Sequence, residues 1–323
     1  MLHIRNFNTG SMLIRQRKRV AALNDLIFSA AVMIMSLFLV SPGWADDNTD
    51  GYKVTPETSS KAFVAIIIDD LGYKLKQDQR AINLPGQVTY AFLPHTPHLK
   101  ELAETANTRG SDIMLHLPMQ ATMETFYLGP GALTSDMTEQ EFRQSVINSI
   151  HSIPHIKGVN NHMGSLITSQ KNSMKWLMDE LAQTDLYFVD SRTTAKTLAE
   201  KTANQYQIKN TRRNVFLDHE LNRPAIEFQF DRLIALAKKN GSAVAIGHPF
   251  KETLDVLEEK IPQLEANGIH LISVSELIQQ QKTPHKLQRN KWQNTPSFTQ
   301  NLSTRKQEPW QMSLSPSQKA VKN

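Results

Sequence analysis

The chain alternates apolar runs with amphipathic stretches from about residue 60 to about residue 280. The apolar runs have the length of buried strands, and the stretches between them have the spacing of helices. This alternation predicts βα units built around a largely parallel sheet. Periodicity alone does not decide between an open doubly wound sheet and a closed barrel. The predicted strands are 62–68, 88–93, 112–115, 158–160, 186–189, 242–246 and 270–273.

The clearest predicted helix begins with a capping box, in which Thr138 and Glu141 bind the free backbone N–H groups of the first turn. Glycine residues close two of the later helices, since glycine tolerates the left-handed conformation found after many helix ends. Other helices are predicted over 173–184, over 225–240 closed by Gly241, and over 251–267 closed by Gly268.

Polar side chains stand at the ends of five predicted strands. In a parallel sheet or barrel the carboxyl ends of the strands open on one face, where ligands bind. Carboxylate and imidazole groups gathered there would supply about three metal ligands, a base and an acid. The pattern therefore predicts a mononuclear hydrolytic metal site. Its candidate residues are Asp69 and Asp70, His116, Asn160, Asn161 and His162, Asp190, and His248.

The adjacent carboxylates Asp69 and Asp70 carry most of this prediction. They follow three consecutive isoleucines, and a charge buried there costs several kcal/mol unless a partner or a metal compensates it. The other residues have simpler alternatives. A single histidine after a strand is more often structural than a ligand, and Asp190 could cap the helix that follows it. A cap, however, would explain one carboxylate of the pair and not the other.

Composition excludes several classes of site and partner. The chain has no cysteine, which excludes disulfides, thiolate zinc sites and a cysteine nucleophile. Residues 46–281 hold 23 basic and 29 acidic side chains, so this part of the chain carries a net charge of about −6. An acidic domain of this kind has no nucleic-acid footprint, and no nucleic-acid partner is expected.

The N-terminal 45 residues have the pattern of a signal peptide. A basic region precedes the apolar run 26–40, and the small residues Gly43 and Ala45 are spaced like a signal-peptidase site. Cleavage after Ala45 and export to the periplasm are predicted. The alternative is an uncleaved anchor, and only in that case would the chain contact a membrane. The apolar run is, however, shorter than the roughly 17–25 residues that span a bilayer.

Three further segments complete the predicted organisation. Residues 46–60 are expected to form a short linker, and residues 61–281 form one domain because no change of composition interrupts them. Residues 282–323 are basic and rich in Gln, Asn, Ser, Thr and Pro, a composition typical of a disordered tail. Its charge could contact an anionic envelope partner, although a solvated tail is the simpler interpretation.

Six segments, in this order, resemble a known family. They are AIIIDDLGY, VTYAFLPHTPH, SDIMLHLPMQ, GVNNHMGSLIT, YFVDSRTTA and AIGHPF. Together they resemble the divergent polysaccharide deacetylase family of bacterial envelopes, relatives of the NodB-type carbohydrate esterases. The resemblance covers about residues 60–280. It implies an α/β fold, a distorted seven-stranded (β/α) barrel, and a divalent metal, usually zinc, that activates water to attack an acetyl group on a carbohydrate substrate.

The resemblance also implies roles for single residues. Asp69 matches the general base, Asp70 and His116 match metal ligands, and His248 matches the general acid. Gln120 stands where the family places a second histidine ligand, four residues after His116, and an amide oxygen is a poor zinc ligand. His162 is the expected substitute. Residues expected to contact the substrate or support the ligands are Asn161, Asp190, Arg192, Gln120 and His95.

Several alternatives stay open at this point. His95 and His98 are competing ligands, although the prolines around Thr96 favour a stiff turn. The barrel could have lost turnover and act as a glycan-binding or envelope interaction protein, which the Gln120 departure supports. The bond that is hydrolysed could also be an amide bond in a peptidoglycan fragment. Cobalt, nickel or manganese would fit the same ligands as zinc.

Overall fold

The computed structural model describes residues 61–123 and 127–282. The predicted signal peptide, the linker 46–60 and residues 283–323 of the predicted tail lie outside the described residues. Residues 124–126 lie outside them as well. Within the described part, no helix is both long enough and apolar enough to cross a membrane.

Nine strands of the described chain form one parallel sheet. Eight of them follow each other in the order β6-β5-β4-β3-β2-β1-β8-β7, and β9 pairs with β1 beside β2. The strands are β1 Ala62–Leu71, β2 Thr89–Phe92, β3 Ile113–Met119, β4 Ile156–Met163, β5 Tyr187–Asp190, β6 Asn210–Arg212, β7 Val215–Phe216, β8 Ser242–Gly247 and β9 Ile269–Leu271.

The segment 210–216 closes the sheet into a barrel. It pairs first with β5 and then with β8, which lie near opposite ends of the strand order. Its two central backbone amides show the change of partner, because Arg213 N donates to Asp190 O at 3.0 Å and Asn214 N donates to Val244 O at 2.8 Å. The predicted α/β barrel is therefore confirmed. The predicted count of seven strands is wrong, because β6 and β7 are too short to produce an apolar run.

Helices occupy the connections between strands and cover the outside of the barrel. The capping box at Thr138 is confirmed, with Glu141 N donating to Thr138 Oγ1 and the Glu141 carboxylate accepting from Thr138 N. The helices are α1 Leu75–Ile82, α2 Leu99–Thr108, α3 Glu139–His151, α4 Lys171–Leu181, α5 Ala199–Gln205, α6 Arg223–Asn240, α7 Lys251–Lys260 and α8 Val274–Lys282.

One predicted helix is shorter than expected. The pattern over 251–267 predicts a single helix, but α7 ends at Lys260 and two 3-10 turns follow it, Ile261–Gln263 and Glu265–Asn267. Pro262 accounts for the break, since proline has no N–H to donate and its ring clashes with the preceding turn. The closure of α6 by Gly241 is confirmed, since Gly241 follows Asn240 with a positive φ, whereas Gly268, also with a positive φ, closes the second 3-10 turn and not the helix.

Two hydrophobic clusters lie on opposite faces of the sheet, and the inner one supports the barrel mouth. The outer cluster joins the strands to the surrounding helices. The inner cluster fills the barrel, and Val274, Leu277 and Ile278 of α8 close its lower end. Because side chains alternate along a strand, a residue two positions after a member of the inner cluster also faces the inside of the barrel. The strand residues of this cluster include Ala65, Ile67, Ala91, Met114, Val189, Val244 and Ile246.

This alternation places a polar layer directly above the inner apolar cluster. Asp69 follows Ile67 by two positions, His116 follows Met114, and His248 follows Ile246. The strands extend further than predicted, so Asp69, Asp70, His116 and His162 lie within the strands rather than after them. The mouth of the barrel is thus built from strand residues, whose positions are fixed by ladder hydrogen bonds.

We expect Asn214→Ala to destabilise the protein by about 1–3 kcal/mol. The Asn214 side chain accepts a hydrogen bond from Val244 N at 2.7 Å, which continues the ladder where the barrel closes. Without it, the Val244 amide loses its partner. The urea midpoint of the purified protein measures the effect. Asn83→Ala is the matched control, because Asn83 is exposed and its side chain makes no hydrogen bond within the described residues. Equal midpoint shifts in both variants would contradict the prediction.

Candidate active site

Three side chains from three strands meet at the mouth of the barrel. Asp70 Oδ1 lies 3.2 Å from His116 Nε2 and 2.9 Å from His162 Nδ1, and the two imidazole nitrogens lie 3.1 Å apart. Strands β1, β3 and β4 therefore bring one carboxylate oxygen and two ring nitrogens to a single point. These three residues form a group that could hold a metal ion.

The donor atoms of this cluster fit a divalent metal. Metal–ligand bonds of about 2.1 Å place neighbouring ligand atoms about 3.0–3.4 Å apart, close to the separations observed. Asp70 Oδ1 is buried and no described group donates to it in hydrogen-bonding geometry. Burial opposes ionisation of Asp70, but the imidazoles of His116 and His162 outweigh burial and hold its pKa well below the ordinary value. A permanently ionised carboxylate with two imidazoles is a suitable set for zinc.

The backbone around Asp70 is held in an uncommon conformation. Asp70 has φ of 63°, which lies in the left-handed region, and the β1–β2 pairing is irregular between Ile68 and Leu71. The Asp78 carboxylate accepts from Gly72 N at 2.8 Å and from Lys74 N at 3.0 Å, which fixes the turn that follows. Because of this bulge, Asp69 and Asp70 both face the barrel mouth instead of alternating.

Asn160 connects the base candidate to one of the ligands. Its Nδ2 donates to Asp69 Oδ1 at 2.9 Å, and its Oδ1 lies 2.8 Å from His116 Nδ1. Because the amide oxygen only accepts, His116 Nδ1 carries the proton, which leaves the Nε2 lone pair directed at Asp70 and His162. Burial raises the pKa of Asp69 above its ordinary value, although His116 and His248 oppose that change.

His248 is paired with a carboxylate on its far side. His248 Nδ1 lies 3.0 Å from Asp218 Oδ1, and His248 N donates to Asp218 Oδ2 at 2.6 Å. Thr253 Oγ1 donates to the same oxygen at 2.8 Å. His248 Nε2 lies 3.7 Å from Asp70 Oδ2 and so faces the metal candidate. Burial lowers the pKa of His248, but Asp218 outweighs it and raises the value to about 9.

Two residues that shape this site, Asp218 and Arg213, are absent from the predicted set. Asn160 belongs to that set, but the sequence assigns it no role beyond a polar residue near a strand end. Asp218 follows β7, which is too short to be recognised as a strand in the sequence. Arg213 donates from Nε to Ser191 O at 2.6 Å and from Nη2 to Arg192 O at 2.8 Å. Its guanidinium also lies 5.0 Å from the centre of the Phe216 ring.

Two of the predicted supporting residues make backbone hydrogen bonds near the ligands. Asn161 accepts from Ser191 N at 2.9 Å and donates to Met163 O at 2.7 Å. Asp190 is fully buried and accepts from Arg192 N at 2.8 Å and from Thr197 Oγ1 at 3.0 Å. The carboxylate that contacts His248 is therefore that of Asp218, whereas Asp190 orders the loop after β5.

The remaining predicted residues lie outside the three-ligand cluster. Gln120 Oε1 accepts from Ser135 N at 2.7 Å, in the loop beyond β3. His95 is exposed and lines a cleft of about 490 Å³ beside α3. His98 precedes α2 and also lies outside the cluster. Arg192 lies at the barrel mouth beside β4, and its guanidinium has no ion pair within the described residues. The roles predicted for these residues and for the ligands stay predictions.

Comparison with known proteins identifies the family. Residues 66–278 match the family model of the divergent polysaccharide deacetylases. The chain is 36% identical over 215 residues to the uncharacterized protein YibQ of Escherichia coli (strain K12), which covers 67% of each chain. It is 33% identical over 219 residues to an uncharacterized protein of Haemophilus influenzae, covering 68% of this chain and 78% of that one. The chain therefore belongs to the divergent polysaccharide deacetylase family, as its motifs predict.

A solved structure supports the fold. The crystal structure of an uncharacterized protein from Agrobacterium tumefaciens C58 superimposes with a TM-score of 0.66 at 24% sequence identity. The match covers 68% of this chain and 90% of that one. The common architecture is the parallel barrel described above.

We expect His162→Ala and Asp70→Ala to lose stoichiometric zinc, because each removes one of three convergent ligand atoms. Elemental analysis of the purified protein measures bound metal. His98→Ala is the matched control, since His98 is a histidine on the same side of the barrel outside the cluster, and it should retain the metal of the unmodified protein. Full metal content in both ligand variants would refute the assignment, and loss of metal in the control would point to His98 instead.

Proposed function

We propose that this protein is a metal-dependent hydrolase that removes acetyl groups from an envelope polysaccharide or a peptidoglycan-derived glycan. One observation carries the proposal: a buried carboxylate, Asp69, and a carboxylate-paired imidazole, His248, both lie beside a three-ligand metal candidate, Asp69 within 3.6 Å of His116 and His248 within 3.7 Å of Asp70. A hydrolytic metal site requires metal ligands, a base that accepts a proton from the attacking water and an acid that protonates the leaving group. Family membership names carbohydrate as the substrate class.

A bound divalent metal, preferably zinc, would lower the pKa of a water molecule and polarise the acyl carbonyl. Asp69 accepts the proton of the attacking water, and burial favours this role because it raises the proton affinity of the carboxylate. Asn160 holds Asp69 in place through its amide N–H. His248, kept protonated by Asp218, donates its Nε2 proton to the departing nitrogen or oxygen.

The site of action is the periplasm in this proposal. The predicted signal peptide, residues 1–45 with cleavage after Ala45, supports export. Contact of the basic tail with an envelope partner stays a prediction, since its residues beyond 282 lie outside the described chain.

Acetate release from a panel of acetylated glycans tests the activity. The panel contains N-acetylated chitooligosaccharides, peptidoglycan fragments and O-acetylated acidic polysaccharides, each incubated with zinc-loaded protein. We expect turnover that a chelator abolishes and added zinc restores. Asp69→Asn should lower kcat by about 10²–10⁴-fold, because the carboxamide cannot accept the proton. A zinc-loaded protein that releases no acetate from any member of the panel would refute the proposal.

Asp218→Asn is expected to lower kcat by about 10–100-fold while KM changes little. The substitution removes the negative charge that keeps His248 protonated and oriented, but it leaves the metal ligands in place. Steady-state kinetics with metal content measured in parallel distinguish this effect from metal loss. Asp231→Asn on the exposed face of α6 is the matched control, and its kcat should equal that of the unmodified protein.

A further inference from the structure

The loop after β5 runs alongside the metal-ligand segment of β4. Ser191 N donates to Asn161 Oδ1 at 2.9 Å, and Thr193 Oγ1 donates to Met163 O at 2.8 Å. The residues on either side of Arg192 are thus bonded to the residues on either side of His162. These two hydrogen bonds place the backbone of Arg192 beside that of the candidate metal ligand His162.

The backbone of Arg192 is held on both sides in an uncommon conformation. Its N–H donates to Asp190 Oδ1 at 2.8 Å, and its carbonyl accepts from Arg213 Nη2 at 2.8 Å. Its φ is 50°, a left-handed value that residues other than glycine seldom adopt. Strained backbone that persists because its surroundings over-determine it is concentrated at functional sites. The structure therefore fixes the backbone position of Arg192. None of these backbone contacts requires the side chain to be an arginine.

Three guanidinium groups, two of them in or bonded to this loop, have no carboxylate partner. Within residues 61–123 and 127–282, no carboxylate oxygen lies within 4.0 Å of Arg192, Arg213 or Arg232, although the domain is acidic overall. Four other arginines of the same part of the chain do form such pairs: Arg80, Arg143, Arg212 and Arg223. The positive charge of Arg192 and Arg213 is therefore not neutralised by ion pairs within the described chain.

Arg213 experiences the charges of the other two groups and of the base candidate. Burial lowers the pKa of Arg213, Asp190 and Asp69 oppose that change, and the like charges of Arg192 and Arg232 add to it. Arg213 is bonded to the loop through the carbonyls of Ser191 and Arg192. The Ser191 hydroxyl, in the same loop, is buried and has no hydrogen-bond partner within the described residues. A cation without a carboxylate partner and a free hydroxyl, both in a loop bonded to the residues beside His162, point to an anionic, oxygen-rich ligand.

We propose that Arg192 binds a carboxylate of the substrate, so that the protein acts on an acidic acylated glycan rather than a neutral one. This inference rests on the proposed function and names its substrate class. A guanidinium is the side chain best matched to a carboxylate, since it can donate two parallel hydrogen bonds. The carboxylate could belong to a uronic acid or to the lactyl ether of a muramyl sugar, and both present the same group beside an acylated ring.

Carboxyl reduction provides a matched pair of substrates. An O-acetylated polyuronate and N-acetylated muramyl oligosaccharides are each compared with their carboxyl-reduced forms, in which a hydroxymethyl group replaces the carboxylate. We expect kcat/KM to be about 10–100-fold higher for the acidic form of at least one pair. The pair that shows the preference identifies the source of the carboxylate. Equal kcat/KM for acidic and reduced forms in both pairs would overturn the proposal.

Arg192→Gln tests the residue itself. The variant should bring the ratio of kcat/KM between acidic and reduced forms close to one. Arg109→Gln is the matched control, because Arg109 also lacks an ion pair within the described residues but is exposed at the end of α2, away from the barrel mouth. The control should keep the ratio of the unmodified protein. A ratio that is unchanged in Arg192→Gln would overturn the assignment.

A binding measurement separates this inference from the proposed activity. Isothermal titration of the full chain with deacetylated acidic oligosaccharides needs no turnover. We expect Kd to rise about 10–100-fold in Arg192→Gln and to stay constant in Arg109→Gln. If no acetate is released from any glycan but this difference in Kd is found, the proposed hydrolysis fails and the carboxylate site stands. If neither variant changes Kd, the carboxylate site is refuted whether or not the protein is an enzyme.

Discussion

Neutralisation of two adjacent carboxylates at the end of β1 is the constraint on which the mouth of the barrel depends. Asp69 is almost completely buried and Asp70 Oδ1 is buried as well, so each must be compensated by other parts of the chain. Asp69 receives an amide N–H from Asn160, and Asp70 faces two imidazoles. The different surroundings give the two carboxylates opposite pKa changes, upward for Asp69 and downward for Asp70. Adjacent residues of the same type are thus suited to different chemistry.

The alternation of the strands explains why these groups meet. Strands β1, β3 and β8 each contribute an apolar residue to the inner cluster, and the residue two positions later, Asp69, His116 or His248, belongs to the polar layer above it. The apolar layer excludes water from below, so the polar layer is open on one side only. Burial of this kind strengthens the interaction between His248 and Asp218 and raises the proton affinity of Asp69. The chemistry proposed here follows from the position of the site in the barrel as much as from the residues that form it.

The sequence predicted the barrel and most of the residues that cluster at its mouth, because long apolar strands and the carboxylates and imidazoles near their ends are visible in a linear pattern. His162 was inferred as a substitute ligand from the absence of a histidine at position 120, and the structure places it beside Asp70 and His116. Asp218 and Arg213 could not be identified in this way. They belong to a segment whose strands are two and three residues long, and only tertiary pairing with β5 and β8 gives that segment its structure. The extent of helix α7 was also misjudged, because Pro262 interrupts an otherwise helical pattern.

The pairing of β1 has a consequence for the order in which the protein can assemble. This first strand lies between strands from the far end of the domain, since it pairs with Ser242–Gly247 on one side and with Ile269–Leu271 beside β2 on the other. Contacts of such large sequence separation form slowly, because loop closure must precede them. A growing chain therefore has Asp69 and Asp70, together with Asn160 and the two imidazoles that neutralise them, available before β8 and β9 can pair with the strand that carries the carboxylates. The site is completed only when nearly the whole domain has emerged, because the pairing of β1 and the position of His248 both depend on the late segment.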